Sequence, residues 1–241
     1  MFIENGDGCA SISPKGGIVA MYVFRDKHII YPERPVGEKS RGGIPICFPF
    51  FGKPKESFEE IPQHGFLRHQ LLSPSAQTIV SAALMGCNIP QVAYPWSLSY
   101  GIGVSLDEKG SLSVKLGVKR LDDGLKTAAP INPGFHPYFS NLRKHSAKIG
   151  GREISDFPQK SVGIPMEHPI LINMGECQAE MELEGFSRDS YFTIWSDNPE
   201  KYFCVEPVLT HPSAFNVEGK GAFLEIGETL ELGMTIKPIM D

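Results

Sequence analysis

The chain has 241 residues, a formal net charge of −5 and a hydrophobic content of 41 %. This length fits a single domain, residues 1–241, and the hydrophobic content is sufficient for a packed core, which argues against disorder. Nucleic-acid binding is disfavoured because it needs a clustered basic face, which we do not expect on a slightly acidic chain.

The predicted strands begin near the amino terminus. Residues 17–24 and 28–31 are apolar runs separated by a charged turn, and this arrangement predicts a β-hairpin. A further strand is predicted over residues 77–84. The clearest pattern lies between residues 96 and 121, where apolar side chains alternate with small or polar ones on both sides of a polar turn at 107–110. A period of two is typical of a strand with one buried face, so this region predicts a long hairpin.

The second half of the chain continues in the same way. Short apolar or β-branched runs predict further strands at residues 191–195, 202–209, 222–226 and 233–237. The 25 glycines and 20 prolines favour many short strands joined by turns, and no segment has the apolar spacing of a long helix. The sequence therefore predicts an all-β protein, built as a large antiparallel β-sandwich with few short helices.

The sequence predicts no targeting or membrane segment. The first ten residues contain no Lys or Arg and no apolar stretch, which argues against a secretory signal. Residues 44–51 are uncharged but contain two prolines, and they fall far short of the roughly 20 residues of a membrane-spanning helix. The five cysteines are widely spaced without a C-x-x-C motif, which favours free thiols in a reducing compartment. We therefore expect a cytoplasmic protein with no membrane or nucleic-acid partner.

Two segments in the first third of the chain place basic side chains among apolar residues. Arg41 precedes two glycines, and its planar guanidinium can bind hydroxyl, carboxylate or phosphate oxygens; the alternative is a surface arginine at a loop–strand junction. In an extended segment, His64, Phe66 and Arg68 would share one face and form a donor-rich strip with an aromatic floor. A binding site and a structural histidine are about equally consistent with this second pattern.

Two later segments each hold one ionisable residue in apolar surroundings. His136 lies in the sequence Asn-Pro-Gly-Phe-His-Pro-Tyr-Phe, where prolines and aromatic residues restrict the imidazole, as suits a positioned general acid or base. Glu206 is the only charged residue within 202–209. Burial would penalise its ionised form and raise its pKa toward the range of a general base. The structural alternatives are a buried, hydrogen-bonded histidine and a glutamate paired with an arginine.

Other kinds of site have weak support. The sequence has no G-x-S-x-G motif and no glycine-rich loop opening a helix. Metal binding is disfavoured because there is no His-x-His pair, and His64 and His69 would lie on opposite faces of a strand. The acidic pairs at residues 59–60 and 122–123 are expected in solvated loops, and they do not suggest a glycosidase pair. We therefore expect no metal or other cofactor.

The order of these motifs resembles the aldose 1-epimerase (galactose mutarotase-like) superfamily. The matching blocks are R-G-G-I-P-x-C-F-P-x-F-G, Q-H-G-F-x-R, N-P-G-F-H-P-Y-F and C-V-E-P, spread over residues 41–209. Residues 41–70 are most similar to the hexose-6-phosphate mutarotase branch, whereas the third block is more similar to epimerases of free sugars. Members of the superfamily are large antiparallel β-sandwiches that interconvert the α and β anomers of sugars.

The resemblance implies a role for each candidate residue. His136 would protonate the ring oxygen of the sugar, and Glu206 would accept the proton of the anomeric hydroxyl. The implied substrate-binding residues are Arg41, His64 and Arg68. An aspartate that contacts the sugar is also expected, and the candidates are Asp189 and Asp197.

The chemistry of anomerisation fits these residue types. One proton must leave the anomeric oxygen and one must reach the ring oxygen, and an imidazole and a carboxylate on opposite sides of the ring can transfer both without a metal or a covalent intermediate. We expect a bell-shaped pH profile and a small-molecule partner, either an aldohexose or a hexose 6-phosphate. Two alternatives remain open: a non-catalytic carbohydrate-binding or regulatory module on the same scaffold, and a metal-dependent isomerase of the cupin type.

Overall fold

The computed structural model describes residues 1–37, 39–54, 58–216 and 221–239. The strands in chain order are β1 (Phe2–Asn5), β2 (Gly8–Ile12), β3 (Val19–Phe24), β4 (Lys27–Ile30), β5 (Arg34–Val36), β6 (Lys39–Arg41), β7 (Ile46–Cys47), β8 (Ser73–Gln77), β9 (Ser81–Cys87), β10 (Leu98–Leu106), β11 (Leu112–Arg120), β12 (Ala129–Ile131), β13 (Gly134–Phe135), β14 (Tyr138–Ser140), β15 (Ser146–Ile149), β16 (Arg152–Ile154), β17 (Val162–Pro165), β18 (Ile170–Asn173), β19 (Gln178–Glu184), β20 (Tyr191–Trp195), β21 (Tyr202–Val208), β22 (Ala222–Leu224) and β23 (Thr229–Ile239). Short 3₁₀ helices lie at Leu67–His69 and Ala214–Asn216. Within the described residues, no helix combines the length and the apolar character that crossing a bilayer would require.

Most of the strands belong to two large antiparallel sheets. The first sheet has ten strands: β1, β2, β3, β4, β14, β21, β13 and β7 form its main path, β20 pairs with β21, and β17 pairs with β20. The second sheet has nine strands in the order β16-β15-β18-β19-β23-β11-β10-β9-β8. The strand β21 is central in the first sheet, because β13 and β14 pair in succession along one edge and β20 pairs along the other.

A continuous apolar core joins the two sheets. Alternate residues of β10 and β11 are buried, as expected for strands with one face against a core. Tyr22 and Phe139 of the ten-stranded sheet belong to the same buried cluster as Ile102 of the nine-stranded sheet. The hydroxyl of Tyr22 also donates to the carbonyl oxygen of Gly110 at 2.7 Å, which ties β3 to the turn between β10 and β11. The predicted antiparallel β-sandwich is therefore confirmed.

The hairpins with clear alternation are confirmed, but the strand predicted at residues 77–84 is wrong. The β10–β11 hairpin runs in register from Leu98 opposite Arg120 to Leu106 opposite Leu112, and β3 and β4 form the first predicted hairpin. Residues 77–84 instead contain the end of β8, a turn and the start of β9. The chain reverses there because the hydroxyl of Thr78 accepts from the backbone N–H of Ser81 at 3.0 Å.

One acidic position predicted in a solvated loop is structural. The side chain of Arg120 is fully buried, and its Nη2 donates to Oδ1 of Asp123 at 2.8 Å. Asp123 also accepts from the backbone N–H of Ser97 at 2.7 Å. The hydrogen bond from Arg120 lowers the pKa of the Asp123 carboxyl. Asp123 lies in an exposed loop, as expected, and its carboxylate is in addition the partner that the buried guanidinium needs.

Candidate active site

A cleft of about 920 Å³ opens over the central strands of the ten-stranded sheet. Side chains from β6, β14, β20 and β21 line it together with residues of the connecting loops. The predicted catalytic and binding residues that line this cleft are Arg41, His64, Arg68, His136 and Glu206. The structure thus brings together five residues that are spread over 166 positions of the sequence.

The position of Glu206 follows from the central place of β21. All seven residues of this strand are buried, and alternate side chains point to the same face. Thr193 of β20 lies directly opposite Glu206 in the strand register. The Glu206 side chain is 2 % exposed and lines the cleft, so its carboxyl group has little access to water except from the cleft. No arginine forms an ion pair with Glu206 among the described residues, which removes the structural alternative considered for it.

His136 is held between two short strands that both pair with β21. Its backbone N–H donates to the carbonyl oxygen of Pro45 at 2.9 Å. Its imidazole stacks on the ring of Tyr138, with centroids 4.7 Å apart and planes inclined by 10°. It also packs edge to face with Trp195, with ring centroids 5.9 Å apart. The ring therefore has a fixed orientation, as the aromatic and proline-rich sequence around it suggested.

His136 and Glu206 form a close pair. Nε2 of His136 lies 3.4 Å from Oε1 of Glu206, an oxygen that has no hydrogen-bond partner among the described residues. Burial raises the pKa of Glu206 well above its usual range. Burial lowers the pKa of His136 well below its usual range, and the neighbouring His64 and Arg68 lower it further. Burial of both groups therefore favours an uncharged pair, a carboxylic acid beside a neutral imidazole.

The segment that carries His64 is bent, so the expectation of an extended strand is wrong. His64 has a φ of +65° and Gly65 a φ of +75°, and Leu67–His69 forms a 3₁₀ turn. A Cβ at Gly65 would lie 2.0 Å from the carbonyl oxygen of Phe48, so only glycine fits this close approach. His64 and Arg68 still reach the same cleft, although the bend and not strand alternation brings them there.

His64 is a neutral hydrogen-bonding group. The backbone N–H of Gly52 donates to its Nδ1 at 3.2 Å, which leaves the proton of the neutral ring on Nε2. Its ring packs edge-on against that of His136, with centroids 5.2 Å apart. Burial lowers the pKa of His64 to about 3, and Arg68 and Arg41 contribute to the shift. His64 can therefore offer Nε2, which lies 3.3 Å from the side-chain amide of Gln63, to a hydrogen bond without carrying charge.

Arg41 is anchored at the edge of the cleft by an aspartate. Its Nε and Nη2 donate to Oδ2 of Asp197 at 2.8 and 2.7 Å, and its guanidinium lies 5.3 Å from the ring centroid of Trp195. Asp197 also accepts a hydrogen bond from the hydroxyl of Tyr202. Asp189 lies elsewhere, in a turn where its N–H donates to a serine hydroxyl. Neither candidate aspartate lines the cleft, and Asp197 is joined to it through its hydrogen bonds with Arg41.

The cleft is strongly basic although the chain as a whole is acidic. The cationic side chains that line it are Lys15, Lys39, Arg41, Lys53, Arg68 and Lys160. Among the described residues that line the cleft, the acidic side chains are Glu33 and Glu206. Arg68 forms no hydrogen bond or ion pair with another described residue, so its guanidinium is available to a ligand. Such a cleft suits an anionic ligand.

Sequence reasoning missed Thr193 and Trp195 as residues of the site. The Thr193 side chain lines the cleft, and its buried Oγ1 finds no hydrogen-bond partner in the described part of the chain. Both residues belong to a strand that was correctly predicted at residues 191–195. Their place beside Glu206 depends on the pairing of β20 with β21, which no local sequence pattern indicates.

One group of side chains at the base of the cleft has the composition of a metal site. His136, Cys204 and Glu206 are all buried, and one ligand atom from each lies within 4.8 Å of the other two. The spacing of the histidines in the sequence gives no sign of this combination, because Cys204 and His136 come together only through the pairing of β14 with β21.

The pattern described as "Aldose 1-epimerase" matches residues 3–168 of this chain. A protein of Cenchrus ciliaris named "Putative glucose-6-phosphate 1-epimerase" is 25 % identical over 170 residues, which cover 62 % of this chain and 49 % of that protein. The chain thus spans about half the length of this curated relative. The family match ends before Glu206, so the position of that residue in the site rests on the structure.

Two solved structures have the same fold at low sequence identity. The Slr1438 protein from Synechocystis sp. PCC 6803 superposes with a TM-score of 0.82 at 18 % identity, covering 100 % of this chain and 96 % of the other. A galactose mutarotase-like protein from Lactobacillus casei ATCC 334 superposes with a TM-score of 0.78 at 18 % identity, covering 99 % of each chain. These likenesses establish the galactose mutarotase-like fold.

Proposed function

The chain belongs to the aldose 1-epimerase family, and from this premise we propose that it interconverts the α and β anomers of an aldohexose or a hexose 6-phosphate. The observation that carries the proposal is the pair formed by His136 and Glu206, whose Nε2 and Oε1 atoms lie 3.4 Å apart in a sugar-sized cleft. An imidazole and a carboxyl group in contact are suited to moving protons between two oxygens of one substrate.

The proposed mechanism moves one proton within this pair. For ring opening, the single proton of the pair first passes from Glu206 to His136. Protonated His136 then donates to the ring oxygen while ionised Glu206 accepts the proton of the anomeric hydroxyl; the C1–ring oxygen bond breaks and an aldehyde forms. His136 is then neutral and Glu206 protonated. After rotation about the C1–C2 bond, Glu206 returns a proton to the carbonyl oxygen, His136 removes the proton from the ring hydroxyl, and the ring closes as the other anomer. Each proton given up is regained, so the cycle balances.

The spacing of the pair supports this assignment in a way that the sequence did not suggest. We expected the two groups on opposite sides of the ring, but 3.4 Å between Nε2 and Oε1 leaves no space for a ring between them. The two oxygens that exchange protons are bonded to the same carbon. Two groups lying side by side can therefore reach both oxygens, and their uncharged form is the one needed for ring closure.

The remaining cleft residues are proposed to bind the sugar. His64 would donate from Nε2 to a hydroxyl group, and Arg41, fixed by Asp197, would hold a second oxygen. Arg68 would bind substrate through its guanidinium, and the surrounding lysines favour a phosphate at the far end of the ligand. The name of the Cenchrus ciliaris relative points to the same substrate class.

The test is the rate of anomer exchange. Polarimetry of freshly dissolved α-D-glucose and α-D-galactose, and exchange NMR of glucose 6-phosphate, would each be run with and without a chelator. We expect acceleration that the chelator leaves unchanged, and its loss in Glu206→Gln and His136→Ala. Binding of a sugar without acceleration would instead identify a non-catalytic carbohydrate-binding module, and loss of activity with the chelator would identify a metal-dependent isomerase.

We also propose that residues 1–241 act as one domain in the cytoplasm. The continuous core shared by the two large sheets supports the single domain, and the five free cysteines fit a reducing compartment. The proposed partner is a small-molecule sugar or sugar phosphate, with no nucleic acid and no membrane.

A further inference from the structure

We propose that His136, Cys204 and Glu206 form a binding site for a thiophilic divalent cation, with Zn²⁺ as the ion that fits best, and that this ion inhibits the protein. Each residue offers one ligand atom, and these atoms all lie within 4.8 Å of one another. The site itself follows from geometry alone. The inhibition rests on the proposed function, because two of the three ligands are the proposed proton-transfer groups.

The distance between the imidazole and carboxylate ligands of this group matches tetrahedral coordination. With Zn–N and Zn–O bonds of about 2.0–2.2 Å, two ligand atoms of a tetrahedral site lie about 3.3–3.5 Å apart. Nε2 of His136 and Oε1 of Glu206 are already 3.4 Å apart. That carboxylate oxygen is buried and has no hydrogen-bond partner among the described residues, so it is free to bind an ion.

The fold holds the three ligands in place without a metal. Cys204 and Glu206 are two residues apart on β21 and therefore point to the same face of the sheet. His136 is carried between β13 and β14, which pair with the same strand at Val208 and at Cys204. A site built on paired central strands loses little conformational entropy when an ion binds.

The chemistry of the ligands selects the class of ion. A cysteine sulfur with an imidazole suits Zn²⁺ and related ions, whereas Mg²⁺ and Ca²⁺ prefer oxygen ligands. A thiolate and a carboxylate together cancel the charge of a divalent ion. This balance matters because Arg68 adds an unpaired positive charge to the same cleft, among the described residues.

Other pairs of possible ligands in the cleft are incomplete. Sγ of Cys47 lies 3.3 Å from Nδ1 of His64, but this nitrogen already accepts from the backbone N–H of Gly52, and the described residues supply no third ligand to that pair. Because His136 and Glu206 line the cleft, the open side of the proposed site faces the cleft. A water molecule or a sugar hydroxyl would occupy the fourth position.

The direct test uses Co²⁺ as a spectroscopic substitute for Zn²⁺. Titration of the metal-free protein with Co²⁺ should produce cobalt–thiolate absorption with the visible bands of a tetrahedral ion. Cys204→Ala should lose this absorption, and Cys47→Ala, a substitution of an equally buried cysteine, should keep it. Absence of the absorption from the unmodified protein, or its persistence in Cys204→Ala, would overturn the site regardless of whether the protein anomerises sugars.

The inhibition is tested separately by anomer exchange. Zn²⁺ should suppress exchange in the unmodified protein and in Cys47→Ala, and a chelator should restore it. Cys204→Ala should retain exchange without metal and require at least about tenfold more Zn²⁺ for the same suppression, because one ligand is missing. The melting temperature of each metal-free variant checks folding, and Cys204→Ser serves if the alanine variant is unstable. Equal sensitivity of the folded Cys204 variant and the unmodified protein would contradict the proposal.

Discussion

At the scale of single residues, the proposed acid–base pair of His136 and Glu206 leads to a prediction of how activity depends on pH. At acid pH the pair takes up a second proton, which binds to the imidazole of His136. Because burial lowers the pKa of this imidazole, activity should fall only at pH values below the ordinary pKa of histidine. At higher pH the pair loses its remaining proton from the carboxyl group of Glu206. Because burial raises the pKa of this carboxyl group, activity should be lost only at pH values above the ordinary pKa of glutamate. We expect a bell-shaped profile of kcat/KM in which activity is highest between these two limits.

The profile would be measured by polarimetry with the spontaneous rate subtracted at every pH, because water, acid and base also catalyse anomer exchange. His168→Gln, a substitution of an exposed histidine outside the cleft, should leave both limbs in place. A profile that rises continuously through the alkaline range would show that the pair does not carry the reaction.

Thr193 gives a second prediction at this scale. Its hydroxyl lines the cleft opposite Glu206 and has no partner among the described residues, so we expect it to bind a sugar hydroxyl. Thr193→Val should lower kcat/KM by roughly 2- to 12-fold, the loss of one hydrogen bond of about 0.5–1.5 kcal/mol, without lowering the melting temperature. Thr193→Ser keeps the hydroxyl and should retain activity. A fully active Thr193→Val would exclude this contact.

At the scale of elements, the turn between β10 and β11 is expected to be sensitive to a single methyl group. Gly110 has a φ of +80°, and a Cβ there would lie 2.8 Å from the backbone nitrogen of Gly8. Gly110→Ala should therefore lower the free energy of unfolding by about 1–3 kcal/mol, measured by urea denaturation. Gly103→Ala is the matched control, because a Cβ at Gly103 meets nothing within 4 Å; it should be neutral or stabilising by about 0.5–1 kcal/mol. Equal effects of the two substitutions would contradict this account of the turn.

The elements also show what the sequence could predict. The β10–β11 hairpin was predictable from local signals in the sequence. Burial of one face produces the alternation of side chains, and the polar residues between the two runs mark the turn. The bend at His64 was not, because it depends on Gly65 packing against the carbonyl of Phe48. The candidate acid–base residues were recognisable from charge in apolar surroundings and from the family resemblance. Thr193 gave no such signal, because only the pairing of β20 with β21 places it beside Glu206. Cys204 shares a face of β21 with Glu206, but only the pairing of β14 with β21 brings His136 to both.

At the scale of the whole molecule, the distribution of charge predicts how salt affects substrate binding. The chain is acidic, yet cationic side chains dominate the cleft lining. Screening shortens from about 10 Å at 0.1 M salt to about 3 Å at 1 M, so KM for glucose 6-phosphate should rise several-fold over this range while KM for glucose stays nearly constant. Arg68→Ala should reduce this dependence, and Arg152→Ala, on the exposed strand β16, should not. An equal effect of salt on both sugars would exclude a phosphate site.

The central position of β21 has a consequence for the motions of the molecule. Amide protons of a strand paired along both edges exchange with solvent only in the rarest openings, whereas short loops open with little free energy. In hydrogen–deuterium exchange we expect the amides around Glu206 to be among the slowest and those around His64 to exchange much sooner. The proposed proton-transfer group on β21 would then stay rigid, whereas the loop that carries His64 would be free to adapt to sugars of different shape.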